Sequence, residues 1–472
     1  MLLNYVEFFT QAEVQAIHDR SMRLMEEVGL DIPVATAREV YKKHGGKVEG
    51  SRVRLPRNLV EKAVKTAPAQ FTIHARNRAK DVLVGGENPV FAPAYGAPFL
   101  MDYTSGQRHA TMDDYIKLVR LADALPELDL SGHLLVEPHG LPAGSSHLHM
   151  LRAHMMNSDK PFIGSSNGVK GAQASLDMAG ILFGDRERLK DRPVMISLIN
   201  TLSPLAFASE MIEALMIFAE WGQPVVIASM AQAGATAPVT LAGMLVQQNA
   251  EILAGVTLAQ LVHPGTPVIY GSTSTIMDMN TAAAAIGSPE YAVLVAAHAQ
   301  LGRFYGLPTR SGGCLTDAQV PDAQAGLESM QALLAAVNSG IHFVLHAAGI
   351  LGSYLTFSFE KMVIDAEICG MVRRYRQGIG VSEDDLAYDV IAGVGPAGNY
   401  LMEDHTLSHF RRAFYRPALC NRDALPAWQE KGSQTMTQRA HLRWQRILEN
   451  HQVPSLDATT VRQLDAYVEQ HT

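Results

Sequence analysis

Pro193-Val194-Met195-Ile196-Ser197-Leu198-Ile199-Asn200 and Pro224-Val225-Val226-Ile227-Ala228-Ser229-Met230-Ala231-Gln232 share one construction: a proline, a largely apolar run with no charge, and a small or polar ending. A strand covered on both faces loses the alternation of a half-exposed one, so such runs read as strands of a parallel sheet. Between them, Ala206 to Trp221 is rich in Ala, Leu and Met at helical spacing. The unit recurs in both directions. Further strand segments are Leu128 to Glu137, Pro161 to Asn167, Pro267 to Thr275, Pro308 to Asp317, Ile341 to Ile350 and Ala387 to Val394, and further helical stretches are Leu241 to Val262, Pro289 to Tyr305 and Leu327 to Asn338. Eight units, each long enough for a strand and its crossover helix, predict an α/β chain with a (β/α)₈ TIM barrel. No Gly-x-Gly-x-x-Gly follows the first strand to favour an open doubly wound sheet.

The barrel is expected over residues 111–425. Residues 1–110 read as an α+β extension that opens with a helix from Thr10 to Val28, where Thr10 and Glu13 form a capping box and Gly29 is the stop. Residues 426–472 read as a helical tail packed on the barrel.

The chain has 472 residues, with 39 Lys+Arg against 47 Asp+Glu, a net charge of −8, 47% hydrophobic and 18% charged residues. That composition excludes a disordered chain, and the acidic balance argues against nucleic acid as a partner. Neither a leader-like start nor an uncharged membrane span is read, and three scattered cysteines make no disulfide framework, so a reduced cytoplasm is the expected home.

Reactive groups of a barrel gather at the carboxyl ends of its strands. Here those ends carry mainly hydroxyl, amide and small residues rather than the lysine, paired carboxylates or metal cluster of an aldolase or hydrolase. His147, His149 and His154 lack an acidic or thiol companion at ligand spacing and read as helix-packing histidines, so no metal is expected. Cys314 has no His or Asn partner in view and reads as a packed thiol. The run Arg310-Ser311-Gly312-Gly313-Cys314-Leu315-Thr316-Asp317 is the most informative. Its glycines allow close backbone approach to a ligand, and Arg310 suits a carboxylate, the alternative being an ion pair with Asp317 or Asp322.

Arg310 to Gly326, Gly271-Ser272-Thr273-Ser274, Gly287-Ser288-Pro289-Glu290 and Gly398-Asn399-Tyr400-Leu401 with His405-Thr406 together resemble, in order and spacing, the trimethylamine methyltransferase (MttB) family. The resemblance spans nearly the whole chain. It implies a TIM barrel that moves a methyl group from a methylated amine to the cobalt of a corrinoid held by a separate protein. The founding members carry pyrrolysine, whereas this chain is written in the twenty standard residues, as are relatives that use quaternary amines. The resemblance therefore implies glycine betaine as donor and dimethylglycine as product. Proline betaine, carnitine or γ-butyrobetaine as donor, or a non-catalytic betaine-binding barrel, are the alternatives.

A quaternary ammonium is already a good leaving group, so its pocket needs aromatic faces, a clamp for a carboxylate and an open mouth. From the strand ends, Tyr95, Tyr270, Tyr354 and Phe357 are the aromatic candidates. Arg310 or His346 would hold the carboxylate, with Asn200 and Gln232 as amide donors, while Gly312, Gly313 and Asp317 would face the corrinoid. The corrinoid protein is the expected partner, no cofactor is expected to be tightly bound, no membrane is involved, and apolar outer helices suggest a homo-oligomer.

Overall fold

The computed structural model describes residues 5–142 and 144–472. Seven strands form one parallel sheet: β1 Val90–Phe91, β2 Phe162–Gly164, β3 Met195–Asn200, β4 Val225–Ser229, β5 Val268–Ser272, β6 Thr309–Gly312 and β7 Phe343–Leu345. Their order is β1-β7-β6-β5-β4-β3-β2, so sequence neighbours from β2 to β7 are also sheet neighbours. Each strand from β2 onward is followed by a helix: α1 Gly168–Phe183, α2 Ser209–Glu220, α3 Leu241–Val262, α4 Pro289–Tyr305, α5 Ala323–Asn338 and α6 Phe359–Gln377.

Two layers of apolar side chains result. Val90, Ile163, Ile196, Leu198, Val226, Ala228, Ile269, Phe343 and Leu345 point to the inside of the curved sheet, where an antiparallel pair, Phe71–Ile73 with Val82–Val84, packs on them. The alternate residues Phe162, Met195, Ile199, Val225, Ile227, Val268 and Tyr270 face the helices. Both faces are therefore covered, which is why the strands read as continuous apolar runs.

The expectation of eight regular strands is corrected to seven. Leu128 to Glu137 contains no strand: Asp129 N–H bonds Phe91 O at 2.8 Å, but Phe91 N–H is bound at 2.7 Å by the Asp129 carboxylate instead of a carbonyl. On the other side Ser131 N–H reaches Pro161 O at 3.0 Å and Gly132 O accepts from Ile163 at 2.9 Å, while Gly132 turns at φ +93°. Ala387 to Val394 is not a strand either. Residues Tyr388–Val394 form a helix, because Tyr388 and Ile391 recur at three rather than two residues. β1, only two residues long, gave no periodicity to read.

The first helix runs Gln11–Glu27 with the Thr10/Glu13 capping box in place, and it packs on α3. At the other end of the chain, Met436–Asn450 packs on α6, with Trp444 stacked on Phe359 at 4.6 Å. No helix among the described residues is long and apolar enough to cross a membrane.

Candidate active site at the carboxyl ends of the strands

Arg310 is the second residue of β6, in register with Gly271 of β5 and Phe343 of β7. Phe343 belongs to the inner layer, so Arg310 also points inward. Its side chain is 1% exposed. Two weak hydrogen bonds hold it, Nη1 to Thr273 Oγ1 and Nη2 to His346 Nδ1, both at 3.4 Å, and Nε has no partner. No carboxylate pairs with it among the described residues. Asp317 is occupied by Ile286 N–H, Gly287 N–H and Ser353 Oγ, and Asp322 caps α5 at Ala325. Burial pulls the Arg310 pKa downward. A buried guanidinium without an anion is costly, and a ligand carboxylate would relieve that cost.

His346 follows β7 in a left-handed conformation, φ +60°. Its Nε2–H donates to Tyr95 O at 3.0 Å, which leaves Nδ1 as an acceptor facing Arg310. Burial and the Arg310 charge push its pKa down to about 3, so the ring is neutral. Tyr354 lies edge-on to His346 with ring centres 4.9 Å apart, and its buried hydroxyl has no hydrogen-bond partner among the described residues. Ser353 and Tyr354 are both left-handed, at φ +52° and +77°. That rare backbone is fixed by Ser353 Oγ donating to Asp317 Oδ1 at 2.6 Å. Tyr95 completes the group, its phenol pushed up to about 12 by burial.

The structure thus gathers Arg310, His346, Tyr354 and Tyr95, and adds Thr273. The other candidates lie elsewhere. Tyr270 faces the helices, where its hydroxyl donates to Asn249 Oδ1 at 2.8 Å and its ring stacks on His298 at 4.5 Å. Phe357 is fully buried in the outer core against Gly349, where a Cβ would come within 2.4 Å of the ring. Asn200 is exposed and Gln232 half-buried, and neither side chain bonds to Arg310, His346 or the two tyrosines. Gly312 and Gly313 are buried and serve internal packing: a Cβ would lie 2.5 Å from Leu315 Cδ1 at the first and 2.6 Å from Val344 Cγ1 at the second. Asp317 spends both oxygens on the protein's own loops.

Two residues escaped the sequence reading. Glu251 of α3, fully buried, accepts from Thr201 Oγ1 and Ser203 Oγ at 2.7 Å each, Leu205 N–H at 2.9 Å, Ser229 Oγ at 3.0 Å and Gln247 Nε2 at 3.0 Å, and so fixes the loop after β3. A lone acid in the apolar run of α3 was the available signal. His133 is 2% exposed, has its ring 6.5 Å from that of Tyr95, and keeps Nδ1 without a partner. It sits inside the segment read as a strand, short of the expected strand end. Cys314 is buried with its thiol pKa raised by burial, as the packed-thiol reading requires. His154 bonds Ser131 Oγ at 3.0 Å, and among the described residues it joins no metal-ligand group.

The arrangement can bind but has little to protonate with: one fixed cation, a neutral imidazole, and phenols of raised pKa. Comparison with known proteins places it. The sequence matches the trimethylamine methyltransferase (MTTB) family over residues 2–472. It is 47% identical to a glycine betaine methyltransferase of Desulfitobacterium hafniense (strain Y51), over 99% of this chain and 98% of that one. It is 34% identical to a proline betaine:corrinoid methyltransferase of Eubacterium limosum, over 98% and 97%. A trimethylamine methyltransferase MttB of Methanosarcina barkeri (strain Fusaro / DSM 804) is 32% identical over 99% and 96%. In fold the chain is similar to the crystal structure of the Methanosarcina barkeri monomethylamine methyltransferase (MtmB), with a TM-score of 0.50 and 12% identity over 95% of this chain and 96% of that one. The chain belongs to the trimethylamine methyltransferase family.

Proposed function

We propose that this chain transfers a methyl group from glycine betaine to the Co(I) of a corrinoid carried by a partner protein, releasing dimethylglycine. One observation carries the choice of donor: Arg310 is a buried cation with which no carboxylate among the described residues pairs. A simple amine cation would be repelled there, whereas a betaine brings its own carboxylate. The likeness to the Desulfitobacterium hafniense glycine betaine methyltransferase supports the same donor.

On this reading the substrate carboxylate lies on the Arg310 guanidinium, in two-point contact through the fork its weak bonds leave available. The trimethylammonium turns to the faces of Tyr95 and Tyr354. One N–CH₃ bond breaks, its electron pair stays on nitrogen, and the methyl carbon bonds to cobalt, which supplies the two electrons. The departing amine leaves neutral, so no proton has to be delivered, in keeping with a neutral His346 and protonated tyrosines. Positioning then supplies most of the catalysis.

The same reading completes the barrel with residues 129–132, which hydrogen-bond to β1 on one side and β2 on the other. It takes 111–425 as the body of the barrel, 1–110 as an extension that lends it β1, and 426–472 as the tail, and it sets the reaction in the cytoplasm, where three unpaired cysteines are at home.

Anaerobic incubation of the protein with cob(I)alamin and glycine betaine tests the proposal. Methylcob(III)alamin and dimethylglycine should form in equal amounts. Transfer only from proline betaine, carnitine or γ-butyrobetaine would replace the donor, and tight binding of glycine betaine with no transfer, even with the cognate corrinoid protein, would make the chain a binding protein.

A further inference from the structure

Residues 378–414 leave α6 at Gly378 and return to it at Tyr415, whose hydroxyl donates to Glu367 O at 3.3 Å. In between lie the helices Glu383–Leu386, Tyr388–Val394 and Asp404–Ala413, and none of the 37 residues is buried. The excursion has no core of its own and lends none to the sheet. Yet it is rich in apolar side chains: Ile379 is 91% exposed, Val381 76%, Tyr388 75%, Leu401 77%, Met402 93% and Leu407 71%.

The helix Asp404–Ala413 is inverted relative to an ordinary surface helix. His409 and Arg412 share one face and turn to the arm's own Asp384, at 2.7 and 3.1 Å, with His405 bonding the Asp384 carbonyl at 3.2 Å. Leu407 and Phe410 follow at three-residue spacing on the opposite face, Phe414 comes next in extended backbone, and Leu407 and Phe414 are about two-thirds exposed or more. Soluble helices place the apolar stripe inward. Here ionic contacts fix the arm from within and present its apolar side outward.

We propose that residues 378–414 are an association arm that packs against a second copy of this chain. Nine large apolar side chains of the arm, including Leu386, Ile391 and Phe414, are more than half exposed. At about 100 Å² apiece they offer on the order of 900 Å², close to the roughly 800 Å² that each side of a standard interface buries and more than a typical monomer leaves open. An apolar face of that size suits a permanent interface rather than a docking site that a methyl-carrying partner must leave at every turnover.

Position argues the same way. α6 starts beside the carboxyl end of β7 and ends beside the amino end of β1, where Arg376 donates to Glu87 O and Arg373 pairs with Asp129 at 2.6 Å. The arm is therefore rooted at the end of the sheet opposite Arg310 and His346. A corrinoid protein has to reach those residues, so it is not the occupant.

Sedimentation velocity and light scattering on the full chain test the proposal, beside the double variant Leu407→Glu/Phe414→Lys. The wild type should have at least twice the 51.3 kDa chain mass and the variant the mass of one chain, with the far-UV circular dichroism of the two superimposable. Amide exchange within 388–414 should slow as wild-type concentration rises. A monomeric wild type, an assembly that survives the double variant, or an arm protected only when corrinoid protein is added would each overturn it. If the double variant misfolds, the concentration dependence of exchange in the wild type decides alone.

Discussion

His346 Nδ1 lies 3.4 Å from Arg310 Nη2, and the Nε2–H of the same ring donates to the Tyr95 carbonyl at 3.0 Å. The imidazole thus links the loop after β1 to a buried cation on β6, and its neutral tautomer is set by a carbonyl that can only accept. Arg310 is oriented without being neutralised.

Replacing Arg310 separates binding from folding. Arg310→Met removes an uncompensated buried charge, so the ligand-free protein should melt higher than the wild type while losing the rise in Tm that glycine betaine gives the wild type. Its kcat/KM should fall by about 30-fold or more, as truncating a buried charge contact costs about 2–5 kcal/mol. Arg310→Lys should recover little, since an ammonium cannot make the two-point contact. Differential scanning fluorimetry with and without betaine reads the first effect, and initial rates read the second.

Phe357 and Tyr354 should part company. Phe357→Ala opens a cavity in the outer core and should lower stability by about 3–5 kcal/mol, with the KM for betaine unchanged in the folded fraction. Tyr354→Leu should raise KM roughly tenfold with a small change in stability. Urea titrations beside Michaelis plots separate the two. A raised KM for Phe357→Ala would return that ring to the substrate site.

Buried neutral histidines make the fold sensitive to acid. Burial holds His298 and His346 at about 3 and His154 at about 4, against 6.5 for a free histidine. The unfolded chain therefore takes up more protons between pH 6.5 and about 3, so stability falls as pH falls through that window. From pH 7.5 to 5.5 these three alone should cost about 4 kcal/mol, at about 1.4 kcal/mol each. His298→Gln, which retains a donor for the Tyr270 carbonyl, should remove about a third of the loss in urea melts at the two pH values. A flat profile would contradict the assignment.

Asp317 positions Tyr354 at second hand. Asp317→Ala leaves Ile286 N–H, Gly287 N–H and the Ser353 hydroxyl without their acceptor and releases the left-handed Ser353-Tyr354 pair. We expect the KM for betaine to rise about tenfold with kcat less affected, and a loss of about 1–3 kcal/mol in stability. Asp317→Asn, which keeps one acceptor oxygen, should restore part of both.

The parallel sheet was legible because its strands are covered on both faces. The runs at Pro193 and Pro224 need no partner to be recognised, and the bounds of α3 and α4 followed from helical spacing between prolines and polar strand ends. Val90–Phe91 was not legible, being two residues long and fixed by β7 and by the main chain and carboxylate of Asp129. At the site, Arg310 and His346 stood out as polar groups closing apolar runs. Tyr270 and Phe357 read equally well as aromatic strand-end candidates, and they face the other way. A run apolar on both faces does not mark which side is inside; the register with Phe343 does. Gly312 and Gly313 were read as room for a ligand, and they make room for Leu315 and Val344.

The rim of the site is braced by two carboxylates. Asp317 receives bonds from the loops after β5 and β7 while standing in the loop after β6. Glu251 likewise ties the loop after β3 to the end of β4. Four of the loops around the mouth and one strand end are thus tied into two blocks, and an insertion in one loop of a block is felt by its companions. The stretch from Tyr95 to His133 belongs to neither block: main-chain bonds hold it, His346 Nε2–H to the Tyr95 carbonyl and Gly96 N–H to the Leu134 carbonyl, while Gly96 itself is left-handed at φ +88° and is closed to side chains. Divergence toward bulkier donors is therefore channelled to that sector, and libraries at Tyr95 and His133 should yield altered donor preference more often than libraries in either block.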